Sequence, residues 1–147
     1  MEIKRLTKHN LKELKYLENE LFSNPFNDES CLVELTEDNR LYLGLFDNNS
    51  LIGYAGALIT FDSADIIKIG VLKSEQGKGY GKLLLSKLIE DLKLKGVFEI
   101  LLEVEHNNFK AINLYLSSGF IEISERKNYY GLNSHAKILR LELNNEN

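Results

Sequence analysis

Apolar residues recur at helical spacing in three stretches of the chain, and each stretch predicts a helix. The first helix begins near Asn10 and is ended by the segment SNPFNDES. The second follows a glycine-rich loop and ends at Gly96, and the third follows two asparagines that can cap it and ends at Gly119. The three apolar stripes are Leu11, Leu14, Leu17 and Leu21, with Glu18 on the same face; Leu84, Leu85, Leu88, Ile89 and Leu92; and Ala111, Leu114 and Tyr115.

Shorter apolar or alternating segments predict strands around these helices. They are a segment near Ile3, Arg40 to Phe46, Leu51 to Phe61, ADIIKIGVL, VFEILLEVE and HAKILRLEL, with DNNS as a hairpin turn. In the second half, a helix lies between two strands, and such a crossover implies at least one parallel pair. The sequence therefore predicts an α/β fold, a single domain over residues 1–147 with a mixed sheet flanked by helices.

Composition and charge exclude several classes of function. An apolar fraction of 44% and a charged fraction of 27% are typical of a soluble globular protein, and the run LIGYAGALI is too short to span a membrane. The single cysteine, Cys31, fits a reducing cytoplasm. A net charge of -4 argues against general nucleic-acid binding and suits a basic protein segment as partner. The three histidines lack metal-ligand spacing, so we expect no metal.

The glycine-rich loop SEQGKGYGKLLLSKL carries the first chemical signal. Glycines allow left-handed backbone, and the first turn of the following helix leaves N–H groups unpaired, so together they can bind an anion. Lys78 and Lys82 add positive charge. A nucleotide-binding P-loop is excluded because Leu83 follows Lys82, where that motif requires Ser or Thr. The dinucleotide fingerprint G-x-G-x-x-G fails because Lys82 occupies the position of its third glycine. A plain glycine turn before an ordinary helix is the alternative.

Two motifs point to one known family. Gln76, Gly79 and Gly81 give Q-x-x-G-x-G, which resembles the acetyl-CoA signature of the Gcn5-related N-acetyltransferases (GNAT). LLEVEHNNFKAINLYLSSGF resembles the next motif of that superfamily, and ERKNYY resembles a segment of the branch that acetylates protein N-termini, the bacterial ribosomal-protein alanine acetyltransferases (RimI). The resemblance implies a GNAT-like fold with a parallel strand pair around the cofactor-binding loop.

The resemblance also implies roles for individual residues, with acetyl-CoA as the acetyl donor. Loop residues would hold the pyrophosphate, three strand residues would pair with the pantetheine, and Asn108 would hold the pantetheine arm. Glu103 would act as the base, through water or directly, and Tyr115 as the acid. The implied cofactor-binding residues are Ile69, Gly70, Val71, Gln76, Gly77, Lys78, Gly79, Tyr80, Gly81, Lys82 and Asn108.

The implied acceptor is a protein N-terminus, most specifically the N-terminal alanine of a ribosomal protein, in the cytoplasm and without a nucleic-acid or membrane partner. NPF and ERKNYY would be the loops that face the peptide. The branch usually has Arg where this chain has Glu105, and Trp where it has Phe26. A small-molecule amine or lysine acetyltransferase, and a catalytically inactive acyl-CoA-binding module, remain as alternatives.

Overall fold

A computed structural model describes residues 1–143 of the chain. Short 3₁₀ turns lie at Lys8–Asn10 and Lys73–Glu75. The longer elements are β1 (Glu2–Arg5), α1 (Leu11–Leu21), α2 (Asp28–Thr36), β2 (Arg40–Asp47), β3 (Ser50–Thr60), β4 (Ser63–Val71), α3 (Tyr80–Leu94), β5 (Glu99–Glu105), α4 (Phe109–Ser117), β6 (Ile121–Gly131) and β7 (Ser134–Glu142).

The strands form one mixed sheet in the order β1-β2-β3-β4-β5-β7-β6. Only β4 and β5 pair in parallel among residues 1–143, which confirms the predicted crossover around α3. These two strands pair through three residue pairs, from Ser63–Glu99 to Asp65–Leu101, and then diverge. A β-bulge lies just beyond, where Ala57 pairs with Ile66 and Gly56 with Lys68. The bulge and the divergence open a wedge in the middle of the sheet.

Helices cover both faces of the sheet, each over its own apolar cluster. α3 and α4 cover one face, and the leucines of the α3 stripe are fully buried there, as their spacing predicts, whereas Ile89 is partly buried. α1 and α2 cover the opposite face over a smaller cluster that includes Leu14, Tyr42 and Tyr54. Because both faces are covered at β2 and β3, these strands are buried along most of their length instead of alternating.

Two elements differ from the sequence-based expectation. SNPFNDES ends α1, but a second helix, α2, begins within it at Asp28, capped by the Asn27 side chain, which accepts from the Ser30 N–H at 2.7 Å. Leu32 and Val33 of α2 are exposed, so the helix has no clear apolar stripe. ERKNYY, expected as a loop, lies in strand β6. Within residues 1–143 that strand pairs only with β7, and it is exposed along its whole length, so no alternation of buried and exposed positions marks it.

Candidate active site

The N-terminal end of α3 presents a row of unpaired backbone amides, which we call the amide cradle (residues 77–82). Gly77 and Gly79 have φ values of 81° and 84°, and Gly79 caps the helix without a side-chain hydrogen bond. Leu83, the residue that follows the cradle, is the first whose N–H has an acceptor, Gly79 O at 3.1 Å. The N–H groups of residues 77–82 have none within residues 1–143. Such a cradle fits an anionic group such as a pyrophosphate.

Side chains around the amide cradle brace it against the neighbouring elements. Gln76 donates from Nε2 to Val71 O at 2.8 Å, and its Oε1 accepts from Lys110 Nζ at 3.1 Å. The loop is therefore tied both to the end of β4 and to α4. Lys78 pairs with Glu75 at 3.1 Å.

The side chains of the remaining cradle residues are directed toward α4 and the core. Lys82 donates to the backbone and side-chain oxygens of Ser117 at the end of α4. A side chain at Gly81 would meet Leu114 Cδ2 at 3.6 Å, and Tyr80 packs partly buried against the α3-face core. The backbone N–H groups are thus the donors of the amide cradle that remain available to an anion, while the ammonium of Lys82 is bonded to α4.

The three predicted strand residues lie on the free half of β4. Ile69, Gly70 and Val71 pair with β3 on one side and have no strand partner on the β5 side within the described chain. Ile69 and Val71 pack into the core beneath α3. Gly70 faces α1, where a Cβ would come within 2.9 Å of Leu21 Cδ1, so only glycine fits without a shift. This free backbone edge can hydrogen-bond an extended ligand arm inside the wedge.

On the opposite face of the sheet, a cleft of about 460 Å³ opens over the divergence; we call it the β4–β5 cleft. Its lining residues are Asp65, Ile66, Ile67, Leu101, Leu102, Glu103, Arg126, Tyr130 and Ile138. Glu103 projects into it because Leu102 and Val104, on either side, face the α3 core. Arg126 Nη1 lies 3.4 Å from Glu103 Oε1 and its guanidinium lies over the Tyr129 ring.

Asp65 is a second carboxylate in this cleft that the sequence analysis missed. Burial raises the pKa of its carboxyl above the usual range, and the charges of Glu103 and Glu99 raise it further. The same causes, burial first and then Glu103, raise the pKa of Tyr130 across the cleft. No motif marks Asp65; it reaches the site because β4 and β5 pair in parallel at Asp65–Leu101.

Tyr115 lies on the other side of the sheet, in α4, with its side chain buried in the core beneath α3. Its ring packs edge-on against Phe120 at 5.7 Å, and burial raises the pKa of its phenol to about 12. The hydroxyl has no hydrogen-bond partner within residues 1–143. Because every buried side-chain oxygen in that range does have a partner, the Tyr115 oxygen is not fully buried. The hydroxyl oxygen is therefore open to solvent, protonated and able to donate.

Asn108 and Glu105 both take part in local structure. Asn108 Oδ1 accepts from the Ala111 N–H at 3.3 Å and caps α4, which leaves its Nδ2 without a partner in the described chain. Glu105 Oε1 accepts from the Ser134 hydroxyl at 2.6 Å, which joins the ends of β5 and β7. The acidic residue at the position where the resembled branch usually has Arg is therefore engaged in a contact between two strands.

Other potentially reactive groups are engaged or buried. His106 Nδ1 accepts from the His135 N–H at 3.0 Å, and the two rings lie 4.7 Å apart. Burial raises the pKa of the Cys31 thiol, with the Glu18 charge adding to the effect. No cluster of three or more His, Cys, Asp or Glu side chains that could hold a metal ion occurs in residues 1–143. No helix in that range has the length and apolar character needed to cross a membrane.

The arrangement of an amide cradle, a free β4 edge and a β4–β5 divergence can be compared with known families. The sequence profile of the acetyltransferase (GNAT) family matches residues 9–120. The chain belongs to this family. The resemblance inferred from the two sequence motifs is thus confirmed at the level of the GNAT family.

Individual GNAT proteins are similar over different shares of the chain. The ribosomal protein bS18-alanine N-acetyltransferase of Haemophilus influenzae is 48% identical over 90 residues, which is 61% of this chain and 61% of that protein. The N-alpha-acetyltransferase RimI of Mycobacterium tuberculosis is 32% identical over 131 residues, 85% of this chain and 81% of that protein.

Among solved structures, the crystal structure of the ribosomal-protein-S18-alanine N-acetyltransferase from Escherichia coli has the same fold. It superposes with a TM-score of 0.91 at 28% identity and covers 99% of this chain and 96% of that one. The predicted GNAT-like fold, a mixed sheet with a parallel pair at the glycine loop, is therefore confirmed.

Proposed function

We propose that this GNAT protein transfers the acetyl group of acetyl-CoA to the N-terminal α-amine of a protein, most specifically the N-terminal alanine of a ribosomal protein. The observation that carries the proposal is the two-sided site at the β4–β5 divergence. The amide cradle and Tyr115 belong to the α3 side, and Glu103 faces the β4–β5 cleft on the other side. A donor and an acceptor can meet in the wedge from opposite faces of the sheet.

The donor side suits acetyl-CoA. The N–H groups of residues 77–82 would hold the pyrophosphate, and the free edge at residues 69–71 together with Asn108 Nδ2 would hold the pantetheine arm. Acetyl-CoA supplies the activated acetyl thioester when it is bound. Family membership supports this choice of donor.

The chemistry requires one proton to leave and another to arrive. The amine loses a proton as the C–N bond forms, and the sulfur of the broken C–S bond gains one. Glu103, open to the cleft, accepts the first proton through water. Tyr115, whose pKa of about 12 keeps its hydroxyl protonated, donates the second proton to the sulfur.

Three features support a protein N-terminus as the acceptor. An α-amine with a pKa of about 7.7–8.0 is substantially neutral near pH 7.5, whereas a lysine amine near 10.4 is only about one part in a thousand neutral. A modest carboxylate base is therefore sufficient. Asp65, Glu103 and a net charge of -4 favour a basic chain. The name of the similar protein from Haemophilus influenzae supports an alanine of a ribosomal protein as acceptor, and that of the protein from Mycobacterium tuberculosis supports an α-amine.

The test offers acetyl-CoA with two peptides of one basic sequence, and thiol release is measured. The first peptide has a free N-terminal alanine; the second is blocked at its N-terminus and carries a free internal lysine. We expect rapid acetylation of the first peptide only. Equal rates for both peptides would replace the proposal with a lysine or small-amine acceptor, and no thiol release with any amine would favour an inactive acyl-CoA-binding module.

A further inference from the structure

Glu18 of α1 is a fully buried carboxylate outside the proposed chemistry. It accepts hydrogen bonds from the Tyr54 hydroxyl, from Lys68 Nζ at 2.7 Å and from the Phe26 N–H at 2.8 Å. A buried charge is tolerated only when it is paired and hydrogen-bonded, and here all three donors converge on one group. Glu18 thus joins β3, β4 and the segment between α1 and α2 at a single point.

Lys68, the cation of this pair, is also enclosed by aromatic rings. Its Nζ lies 4.4 Å from the centroid of the Phe22 ring and 3.8 Å from that of Phe26, and its side chain is 18% exposed. A desolvated ammonium between two ring faces is held by cation–π attraction from both sides. The Phe22 and Phe26 rings are therefore fixed relative to β4 by one side chain.

The position of Lys68 connects this cluster with the proposed reaction. Lys68 is the first residue after the bulge at Ile67 and belongs to the half of β4 that β5 leaves free. The rings of Phe22 and Phe26 therefore lie over that half of β4, on the α1–α2 face of the sheet onto which the β4–β5 cleft opens. We call residues 22–27 the α1–α2 segment. Lys15 Nζ, which donates to Phe26 O at 2.5 Å, holds the same segment from α1.

We propose that Lys68 is a positioning residue for the acceptor: its pairing with Glu18 and its contacts with Phe22 and Phe26 hold the α1–α2 segment as one wall of the acceptor site. The proposal rests on the proposed function, because it assumes that the amine enters through the β4–β5 cleft. Lys68 itself touches no reacting group. Its loss should loosen the wall and weaken acceptor binding, while the amide cradle on the opposite face stays intact.

The test compares Lys68→Met, which keeps the apolar stem and removes the charge, with Lys68→Arg, which keeps the cation between the rings. We expect Lys68→Met to raise KM for the alanine peptide about 5- to 30-fold, since loss of two cation–π contacts corresponds to that range. We expect kcat and the dissociation constant of acetyl-CoA to stay within about twofold. Lys68→Arg should restore most of the affinity for the peptide.

Tyr54→Phe is the matched control, because it removes another donor to Glu18 and leaves the contacts of Lys68 with Glu18, Phe22 and Phe26 in place. It should lower thermal stability without changing KM. Phe26→Leu is the second variant, since it removes one ring and leaves the Glu18–Lys68 pair; it should raise KM even if Lys68→Met folds poorly. An unchanged KM in both Lys68→Met and Phe26→Leu, or an equal rise in Tyr54→Phe, would overturn the proposal.

Hydrogen exchange at the Phe26 N–H separates this proposal from the proposed function. We expect faster exchange in Lys68→Met than in the wild type, because the segment is less restrained. Unchanged protection would overturn the positioning role whatever the acceptor is. If the wild type acetylates a different amine, the proposed function fails. The KM for that amine is then compared between the wild type and Lys68→Met: a rise supports a wall of the acceptor site, and an unchanged KM leaves a purely structural ion pair.

Discussion

Gly79→Ala tests the amide cradle most directly, because the structure separates backbone strain from steric conflict there. Gly79 has φ of 84°, and a Cβ built on it would meet no atom within 4 Å. The cost of an alanine is therefore that of the left-handed backbone itself, about 1–2 kcal/mol. For a chain of this length, that corresponds to a melting temperature lower by about 2–8 °C.

Gly81→Ala is the matched control two residues away. Gly81 lies in the first turn of α3, and a Cβ there would make an ordinary contact with Leu114 Cδ2 at 3.6 Å. Alanine restricts the unfolded chain more than glycine and fits a helix better, so we expect stabilisation of about 0.4–1 kcal/mol. The two variants should thus move the unfolding transition in opposite directions, measured by calorimetry or urea denaturation.

Gly79→Ala should also weaken the binding of acetyl-CoA. If the loop relieves the strain at residue 79 by changing shape, the N–H groups of residues 77–82 no longer converge, and acetyl-CoA affinity falls. The loss of binding free energy cannot exceed the strain of about 1–2 kcal/mol. The dissociation constant of acetyl-CoA, measured by titration calorimetry, should therefore rise by at most about 5- to 30-fold. A Gly79→Ala protein that unfolds at or above the wild-type temperature would refute the argument from backbone strain.

Three further substitutions test the site. Tyr115→Phe should lower kcat by about 10²- to 10⁴-fold with an unchanged acetyl-CoA dissociation constant, and wild-type turnover would refute its role as acid. Glu103→Gln should likewise lower kcat in steady-state assays while acetyl-CoA binding measured by calorimetry stays constant; loss of binding instead would point to a structural role. Asp65 has a pKa raised above that of an unfolded chain, so its ionisation lowers the free energy of unfolding. This loss of stability is absent below about pH 4 and appears as pH rises through the folded-state pKa. Asp65→Asn should therefore stabilise the protein at pH 7, by less than about 1 kcal/mol, and not at pH 3; equal stabilisation at both pH values in urea titrations would contradict this.

Local patterns in the sequence were sufficient for much of the fold. The stripe of α3 and its end near Gly96 could be predicted because a helix is built from contacts three and four residues apart and the left-handed Gly96, with φ of 87°, follows its end. The amide cradle follows from glycine chemistry and a helix start, which are also local. The parallel pair follows from element order, because a helix must cross between β4 and β5.

The tertiary structure alone decided how these elements meet. The β4–β5 pairing ends after three pairs, and the bulge at Ile67 then turns Lys68 toward α1, both of which depend on long-range register. Register also brought Asp65 beside Glu103, although the two residues are 38 positions apart in the chain. A strand such as β6, exposed on both faces, leaves no alternating pattern. Sequence patterns report which face of an element is buried, whereas pairing and divergence are fixed by contacts between residues far apart in the chain.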